Sequence, residues 1–380
     1  MGYQKALEQT IGVPFTEGNS VNILKNGNEI FPAMLKAISE AQETISFLTF
    51  VYWQGDIADE FAEFFSKKAK EGVQVKVLLD SYGAFPMRKE LVDFMKESGV
   101  EVVWFRPLSR WKIWKMDNRT HRKVLICDGK IAFTGGVGIA EEWNGNAGNK
   151  NEWRDTHFKV EGPAVEGIKA AFIENWIEAG NELEIAKEAS TNLKKSGSTK
   201  IQTVRTSASV RWSDIVLLYQ SLVELAEKRI LIQTAYFNPD EKLVELLTKR
   251  AKEGIEVKII IPGKYTDQRA TKIIAGESFE RLLEAGVQLF YYQKTMMHAK
   301  VIMIDDELSC IGSANFNHRS MLKDDEINLV LIDQEVSKIL RSHFEEDLEN
   351  SERITNFRWK KRDMIKRALE VVVRPFKQQL

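Results

Sequence analysis

The sequence predicts an α/β protein of two similar α-β-α halves, each with a mainly parallel or mixed sheet flanked by helices. Three observations carry this expectation. Strand-like and helix-like segments alternate, whole segments recur in the same order, and a His-X-Lys pair opens an equivalent strand in each copy. "AKEGVQVKVLL" from Ala69 returns as "AKEGIEVKIII" from Ala251, and "ESGVEVVWF" from Glu97 returns as "EAGVQLFYY" from Glu284. Repetition in fixed order at a separation of about 180 residues means two like halves rather than a solenoid.

The elements follow in order. Residues 31–41, "FPAMLKAISEA", place apolar side chains at helical spacing, and 45–51 is a dense β-branched and aromatic run, the mark of a buried strand. A second helix covers 56–71, Gly72 ends it, and 73–79 is the next strand. The second half repeats the series, with helix over 215–227, strand over 230–235, helix over 241–253 and strand over 255–261. Such alternation predicts βαβ units. The polar stretch "KEASTNLKKSGSTK" at 187–200 has the composition of a linker. The expected domains are therefore 1–190, 201–350 and a basic amphipathic C-terminal segment, 351–380.

A chain of 380 residues with a formal charge of −1 accommodates two domains and excludes a globally basic nucleic-acid binder. Its two cysteines, Cys127 and Cys310, sit in apolar runs at positions the repeat does not equate. That favours buried free thiols over a disulfide and a reducing compartment. No signal-peptide pattern and no bilayer-length apolar run are present, so the sequence predicts a cytoplasmic protein that meets membranes peripherally.

The chemistry centres on "THRKVLICDGKIAFTGG" and "MHAKVIMIDDELSCIGSAN". The first reads His121-X-Lys123-X4-Asp128-X6-Gly135-Gly136; the second reads His298-X-Lys300-X4-Asp305-X6-Gly312-Ser313-X-Asn315. Alternate strand residues share a face, so each histidine and its lysine point the same way. Breaking a phosphodiester requires a nucleophile, a proton for the leaving alkoxide and positive charge around the phosphoryl oxygens. Two imidazoles and two ammonium groups meet those needs without a cofactor or metal, since no carboxylate cluster accompanies the pair. Asp128 and Asp305, in "DG" and "DD", read as hairpin-turn residues with a structural role. A base needs a partner that fixes its tautomer. Asp155 in "WRDTHFKV" and Glu326 in "DDEINLVL" occupy matching places in the two halves and fit that role; carboxylates satisfied by surface arginines remain the alternative.

This constellation resembles the phospholipase D superfamily, whose paired HKD motifs have this spacing, over roughly residues 22–347. "FPAMLKAISEAQETI", "GVQVKVLLDSYG", "EWRDTHFKVEGPAV" and "NFNHRSMLKDDEINLVL" are similar to the bacterial cardiolipin synthase branch. The resemblance implies a pseudo-twofold packing of the halves. It also implies His121 as nucleophile forming a phosphohistidine and His298 as general acid and then base, an order that could be reversed. Lys123 and Lys300 would hold non-bridging oxygens, and Asn315 with Ser313 would bind phosphate. The first half departs here, with Gly136 and Gly138 at the corresponding positions.

The implied activity is phosphatidyl transfer, with phosphatidylglycerol as phospholipid substrate, cardiolipin as product and an anionic membrane surface as partner; no nucleic acid is expected, and oligomeric state is left open. Hydrolysis by water, a nuclease of the same superfamily and a non-catalytic binding module are the alternatives. The last is disfavoured because both histidines and both lysines are present. Two further features carry paired readings. Residues 106–120, "RPLSRWKIWKMDNRT", form either an exposed loop or the wall of an anionic channel. Residues 353–380, with nine Lys and Arg against two Asp and Glu, carry Met364, Ile365, Ala368, Leu369 and Val372 on one helical face beside Trp359. That face suits either a membrane interface or the protein core. Trp143 walls a pocket or fills the core, and His157, His318 and His343 read as structural.

Overall fold

The computed structural model describes residues 2–107, 118–182, 193–207, 213–267, 276–356 and 359. The first half comprises β1 (Thr16–Lys25), α2 (Asn26–Glu40), β2 (Thr44–Thr49), α3 (Asp56–Lys70), β3 (Gln74–Asp80), α4 (Lys89–Glu97), β4 (Glu101–Phe105), β5 (Val124–Cys127), β6 (Ile131–Gly135), β7 (Thr156–Glu161) and α5 (Ala164–Glu178). A short helix, α1 (Tyr3–Ile11), precedes them. The second half comprises β8 (Thr199–Thr206), α6 (Asp214–Leu225), β9 (Arg229–Gln233), β10 (Phe237–Asn238), α7 (Glu241–Lys252), β11 (Glu256–Pro262), α8 (Gly276–Glu284), β12 (Gln288–Tyr292), β13 (Val301–Ile304), β14 (Leu308–Gly312), β15 (Phe316–Asn317), α9 (His318–Leu322), β16 (Glu326–Ile332), α10 (Gln334–Glu349) and β17 (Ser351–Ile354). The helix and strand bounds expected from spacing agree with these to within a few residues.

Both halves contribute to one 15-stranded mixed sheet, ordered β17-β12-β11-β9-β13-β14-β16-β8-β1-β7-β6-β5-β2-β3-β4. Reading outward from the β1–β8 junction, the two halves follow the same course. Four antiparallel pairings lead to β2 or β9 and two parallel pairings follow in each half, the second half then adding β17 antiparallel to β12. The parallel pairs are those separated by a crossover helix, as the βαβ reading requires. β1 and β8 run antiparallel and fuse the halves.

Helices cover both faces. α2, α3 and α4 bury Phe31, Phe61, Phe65 and Met95 against one face of the first half, while α6 and α7 bury Leu222 and Leu247 against the second. On the opposite face, Phe172 and Trp176 of α5 share one core with Leu340 and Phe344 of α10. That shared core spans the junction and makes the relative position of the halves a packed feature, as a close-packed interior resists sliding. α1 packs on α6, and Tyr3 donates to Asp305 at 2.6 Å, so the chain's opening helix joins the second-half core.

Each motif strand opens a tight hairpin. Asp128 and Asp305 adopt left-handed φ of 51° and 55°, a conformation Asp tolerates. The Asp128 carboxylate accepts from the amides of Gln42, Glu43 and Thr44 at 2.8–3.1 Å, and that of Asp305 from Glu227, Lys228 and Arg229 at 2.7–2.9 Å. Each ties its turn to the start of the neighbouring central strand. Both cysteines are buried and free. Among the described residues, no helix is long and apolar enough to cross a membrane.

Candidate active site

The residues just before β5 and β13 leave the regular ladder and cross toward the opposite half. His121 N donates to Asp325 O at 2.9 Å and Asp325 N to Arg119 O at 2.9 Å. The second half reciprocates, with His298 N to Arg154 O at 2.7 Å and Arg154 N to Met296 O at 2.9 Å. In each exchange the residue at the crossing immediately precedes a buried carboxylate. Glu326 Oε1 and Oε2 lie 3.0 and 3.2 Å from His121 Nδ1, and Asp155 Oδ2 lies 2.7 Å from His298 Nδ1. Each imidazole is therefore oriented by the other half.

Fixing Nδ1 against a carboxylate places the proton there and leaves Nε2 as the reactive atom in the neutral ring. Burial lowers His121 to about 4, with Lys123 and Lys300 adding to the shift and Glu326 opposing it. Burial lowers His298 to about 3; Lys300 reinforces this and Asp155 opposes it. Burial also brings Lys123 to about 7 and Lys300 to about 8. Burial works against ionisation of Asp155 and Glu326 as well, yet the facing imidazoles and lysines hold both carboxyls below their usual range. The site as it stands holds neutral imidazoles, ionised carboxylates and crowded ammonium groups in want of an anion.

The surroundings of the two histidines differ. His298 packs against Trp143, Trp153 and Tyr236, with ring centroids 5.1, 5.2 and 6.5 Å away, whereas His121 meets Phe50 at 5.3 Å. Side-chain exposure is 13% for His121 and 6% for His298. Lys300 Nζ lies 2.9 and 3.2 Å from the two ring nitrogens of His298. Each lysine also donates to the carbonyl of its own histidine, Lys300 to His298 O and Lys123 to His121 O at 2.7 Å, but Lys123 Nζ lies 5.6 Å over the Phe50 ring.

A cleft of about 310 Å³ opens on both histidines and Lys123. Phe50, Trp53, Tyr82, Trp143, Trp153 and Tyr236 supply its aromatic wall. Asn315 also lines it, its amide oxygen 3.4 Å from the Thr234 hydroxyl. Arg319 and Asp324, ion-paired at 3.0 Å, add a charged rim, and burial pushes Asp324 up to about 8.

Ser313, expected at the phosphate, is fully buried behind Glu326; its hydroxyl donates to Glu326 Oε2 and accepts from Ile327 N at 3.1 Å. The first half has no room for that serine. A Cβ on Gly136 would lie 2.3 Å from Asp155 Oδ1, and one on Gly138 2.6 Å from Val51 Cβ. Trp143 takes over the serine's task, its indole N–H donating to Asp155 Oδ2 at 2.9 Å. It is thus at once buried and part of the cleft wall.

Asp128 and Asp305 stand at the far ends of β5 and β13 and do not line the cleft. His157 is buried in β7. Spacing offered no signal for Asp80, whose Oδ2 accepts from Arg119 Nε and Thr120 N, both at 3.1 Å, and so fixes the approach to His121. Nor did it mark Asp347, whose carboxylate holds Arg154 Nε at 3.0 Å beside Asp155. The basic loop falls mostly outside the described residues, at 108–117, as do residues 187–192 of the stretch read as a linker over 187–200, whose last two residues instead open β8.

Residues 34–152 and 219–348 match the family described as "Cardiolipin synthase, PLD-like domain". The chain belongs to that family. Cardiolipin synthase 1 of Bacillus anthracis is 34% identical over 377 residues, covering 96% of this chain and 73% of the relative. The probable cardiolipin synthase YwiE of Bacillus subtilis is 33% identical over 360 residues, covering 94% and 72%. Cardiolipin synthase of Clostridium perfringens is 33% identical over 368 residues, covering 95% and 77%. Among solved structures, phosphatidylserine synthase of Haemophilus influenzae superposes with a TM-score of 0.77 over 99% of both chains at 14% identity, a likeness of fold alone. Both HKD motifs are complete in the sequence, their histidines meeting at the cleft and their aspartates standing outside it.

Proposed function

We propose that the chain is a phosphatidyltransferase of the cardiolipin synthase type, working through a phosphohistidine and using phosphatidylglycerol as both donor and acceptor. The observation that carries this reading is the pair of neutral imidazoles on one cleft, each held at Nδ1 by the opposite half's carboxylate, with Lys123 in the cleft wall and Lys300 against the His298 ring. Family membership and the three relatives support the choice of lipid.

In the first step His121 Nε2 attacks phosphorus, the bond from phosphorus to the glycerol headgroup oxygen breaks, and a protonated His298 gives its proton to the departing alkoxide. The bound phosphodiester supplies the proton affinity that the free site lacks, because its negative charge raises both imidazoles. His298 takes up that proton from solvent as the substrate binds, while Lys300, within hydrogen-bonding distance of its ring, keeps its own. In the second step His298 takes the proton from a second phosphatidylglycerol's hydroxyl, the alkoxide attacks phosphorus, and the phosphorus–nitrogen bond breaks. Cardiolipin and glycerol are the products, and both histidines return to their starting states. Lys123 and Lys300 neutralise the non-bridging oxygens, and Asn315 donates from its amide nitrogen. The six aromatic side chains favour a lipid hydroxyl over water as acceptor, since apolar walls disfavour free water at the phosphohistidine.

Product analysis on phosphatidylglycerol vesicles tests the reading. Cardiolipin and glycerol in equal amounts are expected; phosphatidic acid as the main product would make the chain a hydrolase.

A further inference from the structure

A substrate embedded in a bilayer requires the cleft mouth to meet that bilayer, and one turn is built for such contact. Among the described residues, the most exposed large apolar side chains are Phe85 at 74% and Tyr82 at 59%. Both lie in the turn at 81–87 between β3 and α4, and Tyr82 also lines the cleft. The turn is anchored from beneath. Asp80 Oδ1 accepts from the amides of Tyr82 and Gly83 at 2.9 and 3.0 Å, Trp53 Nε1 donates to Gly83 O at 2.9 Å, and Ala84 and Met87 are buried. The other oxygen of Asp80 holds Arg119 and Thr120, the residues immediately before His121. One carboxylate therefore fixes the exposed rings and the catalytic strand relative to each other. The turn contains no acidic residue and runs into Arg88, which pairs with Asp59, and the exposed Lys89, whose charge suits anionic headgroups.

We propose that this turn is the membrane-docking surface of the protein, with Phe85 and Tyr82 entering the interface of an anionic phospholipid bilayer and seating the cleft mouth against it. The inference rests on the phospholipid reading above. A second copy of the chain, or another of its own segments, seated on these rings would cover the cleft mouth beside Tyr82. A bilayer occupies the same place while delivering substrate.

The test uses the full chain, vesicles of phosphatidylglycerol and phosphatidylcholine, and short-chain phosphatidylglycerol dispersed as monomers. Phe85→Ser is expected to lower partition onto vesicles by about tenfold, the scale set by burying one aromatic ring. Turnover of vesicle lipid should fall in parallel, and turnover of the monomeric lipid should stay within about twofold of the parent, which also certifies the fold. Phe85→Cys carrying a polarity-sensitive dye, selective because Cys127 and Cys310 are buried, should shift its emission to the blue on addition of vesicles. Unchanged sedimentation and no shift overturn the docking surface while leaving the activity intact. A blue-shifted dye before any vesicle is added, or a dimer that Phe85→Ser dissociates with vesicle binding unchanged, overturns it in favour of the chain's own segment or a second copy. Loss of sedimentation in Phe85→Ser, with neither protein turning over phosphatidylglycerol, keeps the docking surface and rejects the phosphatidylglycerol reading.

Discussion

Nδ1 of His298, in the second half, lies 2.7 Å from Oδ2 of Asp155, in the first. With the reciprocal contact of His121 to Glu326, this makes neither half competent alone: each would present an imidazole without its orienting carboxylate. Asp155→Asn and Glu326→Gln preserve shape and remove the charge. Each is expected to lower kcat by about 10²–10⁴-fold, the range for losing the carboxylate that fixes a catalytic imidazole. Under the roles proposed above, Glu326→Gln slows formation of the covalent intermediate, while Asp155→Asn also slows its transfer. Single-turnover measurements separate the two, and parent-like rates in either variant would contradict the orienting role.

The pH profile follows from the buried charges. As pH falls through about 4, His121 becomes protonated and loses its attacking lone pair; as pH rises through about 7, Lys123 loses its charge. The first step also needs a protonated His298, which sits at about 3 in the free site. The ratio kcat/KM is therefore expected to be bell-shaped with its maximum near pH 4 and to fall more steeply above about 7. A bound phosphodiester raises all these groups, so both limbs of kcat should lie at higher pH than those of kcat/KM. Coincident limbs would mean that the substrate's charge does not govern the imidazoles.

Trp143→Phe keeps the ring beside His298 but removes the N–H donated to Asp155. Loss of one hydrogen bond to a buried carboxylate is expected to lower kcat by about tenfold with little change in KM. The basic limb of kcat should shift with it, because Asp155 bears on the proton affinity of His298, the acid of the first step. A shift in neither would reduce Trp143 to a packing residue.

The motif aspartates are expected to behave differently. Asp128→Ala removes an acceptor from three backbone amides and leaves a left-handed φ on a residue that disfavours it. The expected cost is about 2 kcal/mol of stability, read from denaturant unfolding, with kcat of the folded protein within about twofold of the parent. A kcat loss as large as that of the histidine variants would return Asp128 to the chemistry.

The sequence made legible whatever is local or repeated. Residues 56–71 and 241–253 announced their helices by spacing, and each His-X-Lys pair announced a shared strand face. Asp155 and Glu326 stood out because they match across the repeat, but not which histidine each would meet, since that depends on the antiparallel junction of β1 with β8. Ser313 looked like a phosphate contact from its motif; only the packing of β14 on β16 puts its hydroxyl on Glu326. Asp80, Phe50, Trp153 and Tyr236 come from separate segments with no common period, and the fold alone gathers them. Trp359, read beside a face suited either to a membrane interface or to the core, packs in the second-half core against Phe279 at 5.2 Å. The remainder of that face, Met364 to Val372, lies outside the described residues.

Trapping the covalent intermediate tests the central claim most directly. His298→Asn, mixed with phosphatidylglycerol labelled at phosphorus and quenched under alkaline conditions that preserve phosphohistidine, should retain one label per chain, on the peptide containing His121. His121→Ala should retain none. Label recovered on His298 in the parent enzyme would reverse the roles of the two histidines, and turnover with no histidine-bound phosphorus in any variant would contradict the phosphohistidine mechanism itself.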